Sequence, residues 1–282
     1  MEFTFLDALS LPGDPAKPND DAWGQTNTAA VVLDGATNLG EPLLPGDSDA
    51  AWLSHFAARR LMAHVQEGAP PRDALKSALS DAQRSFAGLR RRPPRHNHEN
   101  PYASMMFVFA NKDDFEALWL GDCAALVKLP VGTTQIVGDA FDKRAAEARR
   151  VRILAEAKGV APAARASRPE FLSALRAARD TVNTDKGGWL FGPDPKAAEH
   201  VRSAQIAAAP GTLVLLASDG FLALACDYGA YDAHGLVEAA RNKGLEALGI
   251  ELRSIEHEDR EGCKFPRFKT SDDATAVLLR LG

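Results

Sequence analysis

Apolar residues recur along this chain at two spacings, and the two spacings separate strands from helices. The densest short run is Val31-Val32-Leu33, which reads as a buried strand because two of its three residues are β-branched. It stops at Asp34-Gly35, a carboxylate followed at once by the residue most tolerant of a sharp turn. Upstream, Phe3, Phe5, Ala8 and Leu9 predict an N-terminal strand. The stretch from Leu11 to Pro18 holds Pro12, Gly13, Pro15 and Pro18 and so predicts a loop. A short strand from Ala22, then the polar Gln25 to Thr28, predicts a hairpin with the Val31–Leu33 strand.

Helical spacing takes over next. Asp47, Ser48 or Asp49 can cap a helix whose apolar face is Leu53, Phe56, Ala57, Leu61, His64 and Val65, and Pro70-Pro71 ends it. Leu75, Leu79, Ala82, Phe86 and Leu89 predict a second helix, antiparallel to the first, the pair covering one sheet. Arg90 to Asn100 reads as a loop. Ala103–Ala110, Phe115–Leu120 and Ala124–Leu129 predict three consecutive strands in an antiparallel meander. Between Gly138 and Arg202 the character changes. Asp139–Lys158 is rich in Ala, Arg and Glu, and Pro169–Asp180 carries Phe171, Leu172 and Leu175; both predict helices. Glycines and prolines then surround Trp189 and Phe191. This region reads as an insertion within a single domain spanning 1–282. Thr212–Ala217 predicts a strand, Tyr231–Leu248 a helix with some glycine interruption and Ala274–Leu281 a last strand. The order predicts an α+β fold, a layered sheet core with helices outside.

Composition narrows the field without naming a function. With 282 residues and a net charge of -5, the chain gives no support for a nucleic-acid or membrane partner. Cys123, Cys226 and Cys263 lie far apart with no CxxC pair, as expected in a reducing compartment. Met1–Phe5 lacks a basic run before an apolar one, so no signal peptide is expected. No stretch reaches the roughly 18 apolar residues of a membrane span, and the cytoplasm is the expected location.

The candidate chemistry lies at strand ends. Asp20-Asp21 precede a strand, Asp34, Asp122 and Asp219 follow strands, and Asp272 precedes the last. One Asp-Gly pair is most often an ordinary turn. In antiparallel sheets, however, the starts and ends of neighbouring strands share an edge, so these carboxylates can meet. Gathered together they repel unless a cation neutralises them. An all-oxygen set with no His or Cys pair points to Mg²⁺ or Mn²⁺. Two such ions about 4 Å apart can hold a phosphoryl group and activate a water.

Taken in order, Asn19-Asp20-Asp21-Ala22, Leu33-Asp34-Gly35, Leu120-Gly121-Asp122, Ala217-Ser218-Asp219-Gly220-Phe221 and Asp272-Asp273-Ala274-Thr275-Ala276-Val277 resemble the acidic motifs of the metal-dependent protein phosphatases, the type 2C Ser/Thr phosphatases. The resemblance implies an antiparallel β-sandwich flanked by helices in four layers, with the insertion at about 138–202 as the family's flap. It implies two Mg²⁺ or Mn²⁺ ions bridged by Asp34. The Gly35 carbonyl and Asp20 would complete one site, Asp219 and Asp272 the other, and Asp122 would serve a third, looser ion. Asp21 would orient the metal-activated water, making Asp21 and Asp34 the catalytic pair. The implied reaction is hydrolysis of a phosphomonoester, of phosphoserine or phosphothreonine in a protein or of a small phosphoester, by a monomer and without a covalent intermediate.

The chain departs from that pattern at four places. Ala16 stands where the family usually has a phosphate-binding arginine, which leaves Lys17 as the candidate phosphate ligand, a point charge in place of a bidentate fork. Ala36 stands where some members have histidine, Cys123 replaces a serine, and Thr37–Pro45 is not the usual glycine-rich continuation. These departures keep a second reading open, a catalytically weak or inactive family member acting as a binding or regulatory module. A haloacid-dehalogenase-type phosphatase using Asp34 as nucleophile is the remote alternative, and it lacks the second acid at position 36. Arg90, Arg91, Arg92 and Arg95 suit a solvated helix end or steering of an acidic partner. His96-Asn97-His98 invites a zinc or nuclease reading with no second ligand pair at the right spacing. Cys123 is either a redox-sensitive thiol or a small buried residue. Trp189 and Phe191 either form the insertion's core or touch substrate.

Overall fold

The computed structural model describes residues 1–141, 149, 153, 169–267 and 269–282. Among the described residues ten strands form two antiparallel sheets of five. The strands are β1 (Phe3–Leu11), β2 (Ala22–Gln25), β3 (Ala29–Gly35), β4 (Ala103–Ala110), β5 (Asp114–Leu120), β6 (Ala124–Lys128), β7 (Thr134–Val137), β8 (Arg202–Ala207), β9 (Leu213–Ala217) and β10 (Ala274–Leu281). One sheet runs β2-β3-β4-β5-β8 and the other β1-β10-β9-β6-β7. The helices are α1 (Asp49–Gln66), α2 (Pro71–Leu89), α3 (Pro169–Arg179), α4 (Asp219–Cys226), α5 (Ala233–Lys243) and α6 (Leu245–Glu258).

The β3 run explains the layering. Val31 and Leu33 pack with Leu53, Leu61, Leu75 and Leu79 of α1 and α2. Ala30 and Val32, pointing the other way, join Val214, Leu216, Val277 and Leu279 from the opposite sheet. Side chains alternate faces along a strand, so a strand covered on both faces is apolar throughout. The second sheet likewise presents Leu215, Ala217 and Ala276 to Phe221, Leu236, Leu248 and Leu252 of α4, α5 and α6. The result is the expected α+β sandwich, helices outside two sheets. Of the three possible caps, Ser48 takes the role for α1, accepting from the Ala51 N–H at 3.1 Å. Asp49 turns inward instead and accepts from the Leu43 and Leu44 N–H groups at 2.6 and 3.0 Å.

Several expectations need correction. The three middle strands are not one meander. β4 and β5 pair, but β6 belongs to the other sheet, between β7 and β9. The crossing is made at Gly121, whose φ of +85° suits only glycine well. The helix expected over Tyr231–Leu248, with glycine interruption, is two helices divided at Gly244 (φ +84°), the second running on to Glu258. β7, β8 and α4 carry no clear sequence signal. The two strands are edges with mostly open faces, and α4 is only eight residues long. Leu89, expected on the buried stripe of α2, is 48% exposed at its last turn. The helix expected over Asp139–Lys158 falls mainly outside the described residues. Phe191 is fully buried and its backbone exchanges hydrogen bonds with Ala103 at 2.8 and 2.9 Å. Trp189 stacks on His200 with ring centres 3.5 Å apart. Among the described residues no helix is long and apolar enough to cross a membrane.

Candidate functional site

Strand register brings the acidic positions to one end of the sandwich. In the β2–β3 hairpin Ala22 faces Leu33, so Asp20-Asp21 enter beside Asp34. The Gly35 N–H donates to the Asp20 carbonyl at 3.1 Å, and a Cβ on Gly35 would lie 2.3 Å from that oxygen. Glycine is therefore required by close approach, not by an unusual φ. In the opposite sheet Ala217 faces Ala276, which sets Asp219 beside the Asp272-Asp273 entry to β10. A Cβ on Gly220 would meet the Asp273 carbonyl at 2.0 Å. Asp219 itself opens α4, where free N–H groups favour a negative charge.

Further side chains fix this frame. Asp273 accepts from the Gly13 N–H at 2.7 Å through Oδ1 and from the Asp20 N–H at 2.6 Å through Oδ2. It thereby ties the N-terminal acidic loop to the start of β10. Ser48 Oγ donates to Asp20 Oδ1 at 2.5 Å and Ser54 Oγ to the Asp20 carbonyl at 2.5 Å, so α1 holds the same loop from its other side. Asp122 accepts from the Ser104 hydroxyl, and Ser104 faces Asp34 across the β3–β4 pair.

Asp34, Gly35, Asp122, Asp219 and Asp272 line one cavity of about 390 Å³, within the size range of small-molecule sites. Asp20 borders an adjoining cavity that shares Asp272 and Lys269 with the first. Asp21 is fully buried. Lys17 lies on the rim of the adjoining cavity, its side chain 74% exposed and its ammonium 3.5 Å from Asp14.

The electrostatics follow from this crowding. Burial pushes Asp34 well up from the usual carboxylate range, and the charges of Asp219, Asp21, Asp272 and Asp122 push it further. Asp21 is raised in the same way, by burial first and then by Asp273, Asp272 and Asp219, with the Ser218 hydroxyl offsetting part of the effect. That hydroxyl is turned to the Thr275 carbonyl at 3.4 Å, and neither Asp21 oxygen meets a hydrogen-bond donor at bonding geometry among the described residues. Asp20 is raised to about 6, chiefly by burial, with the Ser48 hydrogen bond pulling it back. Against these stands Lys269, whose Nζ is 2.5 Å from Asp272 Oδ1. Its ammonium is favoured by Asp272, Asp34 and Asp219 against the cost of burial.

An orphaned buried carboxylate and a second one ringed by four others are what a hard cation resolves. The donor chemistry therefore fits Mg²⁺ or Mn²⁺. As they stand, no three His, Cys, Asp or Glu among the described residues form a set ready to hold a metal ion. Lys269 stands on the same cavity wall, paired with Asp272.

Lys269, Asp273, Ser48, Ser104 and Arg179 escape sequence reasoning. Only Lys269 and Asp273 carry a local signal, as neighbours of Asp272. Arg179, at the end of α3, lines the cavity. Other candidates fall to structural roles. Arg92 forks onto Glu99 at 2.8 and 3.0 Å, and His98 pairs with Asp180 at 2.9 Å. Cys123 is buried, and burial, followed by Asp34 and Asp122, pushes its thiol well up, which opposes a reactive thiolate.

No curated protein sequence matches the chain. Its fold is similar to that of the Mycobacterium tuberculosis serine/threonine phosphatase PstP/Ppp, at 14% identity and a TM-score of 0.55, covering 100% of this chain and 99% of that one. It is also similar to the PPM Ser-Thr phosphatase MsPP from Mycobacterium smegmatis, at 19% identity and a TM-score of 0.54 over 99% and 100% of the two chains. The photosystem II phosphatase PBCP matches at 12% identity and a TM-score of 0.58 over 99% of each chain. At these identities the structures speak for the fold alone. The sequence model described as protein phosphatase 2C matches residues 15–234, most of the chain, and the chain therefore belongs to the protein phosphatase 2C family.

Proposed function

We propose that the chain is a metal-dependent phosphomonoesterase acting on phosphoserine or phosphothreonine in proteins. The observation that carries this reading is Asp34, a strand-end carboxylate enclosed by Asp21, Asp122, Asp219 and Asp272 at the wall of an open cavity. Family membership supports it, and one solved relative of this fold is a PstP catalytic domain in complex with two manganese ions.

Asp34, Asp20 and the Gly35 carbonyl would hold one divalent ion, Asp34, Asp219 and Asp272 a second, and Asp122 a looser third. When bound, such ions neutralise phosphoryl oxygens and make water a better nucleophile at neutral pH. Asp21, whose oxygens meet no donor at bonding geometry among the described residues, would accept the hydrogen bond that orients the attacking water. Asp273 keeps Asp20 and Asp21 in register with Asp272 by binding the backbone of both ends. Ala36 offers no proton, so the leaving alkoxide takes its proton from solvent. Two-metal positioning with attack in line needs no covalent intermediate.

The test is hydrolysis of p-nitrophenyl phosphate and of a phosphothreonine peptide with Mn²⁺, Mg²⁺ or EDTA, for the wild type and Asp219→Asn. Turnover that needs the metal and falls at least a hundredfold in the variant is expected. Equal turnover in EDTA, or in Asp219→Asn, refutes the assignment. The alanine at position 16 favours the second reading, a binding module. Tight phosphopeptide binding with no turnover by either ion would establish that reading instead.

A further inference from the structure

The cavity beside Asp34 has three basic side chains on its wall, and two of them are committed. Arg267 donates to Asp259 Oδ2, to the carbonyls of Thr270 and Phe265 at 2.9 Å, and to the Asp259 carbonyl at 2.6 Å. Lys269 is spent on Asp272 at 2.5 Å. Arg179 differs. Among the described residues its side chain makes one hydrogen bond, from Nη1 to the Ala36 carbonyl at 3.4 Å, which is longer than a good N–H···O bond. It forms no ion pair with a described carboxylate, although Asp122 and Asp34 are near enough to act on its charge. A guanidinium on a cavity wall with most of its five donors unspent among the described residues is an anion receptor, because its planar fork matches two oxygens of a phosphate.

The backbone under Arg179 is also held firmly. Asp180, the next residue, accepts from the His98 backbone N–H at 2.7 Å and pairs with His98 Nδ1 at 2.9 Å. Asn97 Nδ2 donates to the Val182 carbonyl at 2.7 Å, and Asn97 Oδ1 accepts from the Tyr102 hydroxyl at 2.7 Å. One turn back, Arg176 Nε donates to the Leu39 carbonyl at 2.7 Å. The last turn of α3 is thus clamped between the 96–102 segment and the loop that follows Gly35.

We infer that Arg179 is the phosphate-binding arginine of this site. It is supplied from the helix α3 side of the cavity, where the N-terminal loop offers only Ala16 and the exposed Lys17. His98, Asn97 and Asp180 are positioning residues that act through it. The inference deepens the phosphatase reading and rests on it.

The test measures inorganic phosphate binding to the Mn²⁺-loaded protein by calorimetry, alongside kcat and KM for p-nitrophenyl phosphate. Wild type, Arg179→Gln, Arg179→Lys and Lys17→Ala are compared, each first shown to be folded by its near-ultraviolet circular dichroism. Arg179→Gln is expected to weaken phosphate binding and raise KM by tenfold or more, with Mn²⁺ affinity kept. Arg179→Lys recovers part of the loss, and Lys17→Ala changes neither value by more than twofold. His98→Ala is expected to raise KM by a smaller factor and leave the pH profile in place. Phosphate bound equally by wild type and Arg179→Gln overturns the inference while leaving hydrolysis intact. Phosphate binding that needs Arg179 in a protein without turnover upholds the inference and removes the phosphatase reading instead.

Discussion

Replacing Asp34 by asparagine should stabilise the metal-free protein while destroying its response to metal. Asp34 has its proton affinity raised by burial and by Asp219, Asp21, Asp272 and Asp122. A carboxyl with a higher pKa folded than unfolded binds more protons in the native state, so stability falls as pH rises from the unfolded value, about 4, through the folded one. The amide carries no charge and does not contribute to this loss. Removing an unpaired, partly buried charge is worth roughly 1–3 kcal/mol, and the lower half of that range applies here because Lys269 and Arg179 already offset part of the repulsion. For a chain of this size 1 kcal/mol moves Tm by about 2–4 °C. In EDTA at pH 8, Asp34→Asn should therefore melt about 2–8 °C above the wild type, with the gap closing towards pH 4. Adding Mn²⁺ reverses the order. At a hundred times its dissociation constant a ligand stabilises the wild type by about 2.7 kcal/mol, and the variant gains little. Differential scanning calorimetry across pH, with and without Mn²⁺, reads all four conditions. A variant that melts below the wild type in EDTA at pH 8, or shows the same Mn²⁺ shift, refutes the account of a charge-frustrated site.

Asp273→Ala removes the acceptor for two backbone N–H groups; a loss of about 2–4 kcal/mol in urea denaturation is expected, together with weaker Mn²⁺ binding, and an unchanged midpoint would show that the clamp is idle. Gly35→Ala forces a Cβ to within 2.3 Å of the Asp20 carbonyl, so the β2–β3 hairpin must open at its end; Mn²⁺ binding by calorimetry should drop at least tenfold. Lys269→Met removes the cation that sits on Asp272, and roughly three- to tenfold tighter Mn²⁺ binding is expected at low salt, shrinking as salt rises. Cys123, with its thiol pushed up by burial and by Asp34, should resist iodoacetamide at pH 8 in the native protein while the exposed Cys263 reacts; mass spectrometry of the labelled peptides decides.

Local pattern determined much of this protein. The apolar runs at Val31–Leu33, Ala103–Ala110 and Thr212–Ala217 mark strands because a strand covered on both faces has no polar side to show. Ser48, Pro70 and Pro71 bound α1 and α2 because caps and proline act over one turn of chain. The ordered acidic motifs pointed to the family for the same reason, since each carboxylate is tied to a strand end by the glycine or turn next to it. Only the tertiary structure decided which sheet each strand joins. β6 looks like a continuation of β4 and β5, and the turn at Gly121 that sends it across the sandwich depends on what it packs against afterwards. Edge strands β7 and β8 were hidden because half of each faces water. Lys269 is a near neighbour of Asp272 in the sequence, but Arg179 reaches the site through folding alone. Arg179 is 145 residues from Asp34 in the chain by subtraction of their numbers, and no spacing rule links them. Its charge matters because helix α3 is clamped against the loop after Gly35, a contact between segments whose sequences show no sign of each other.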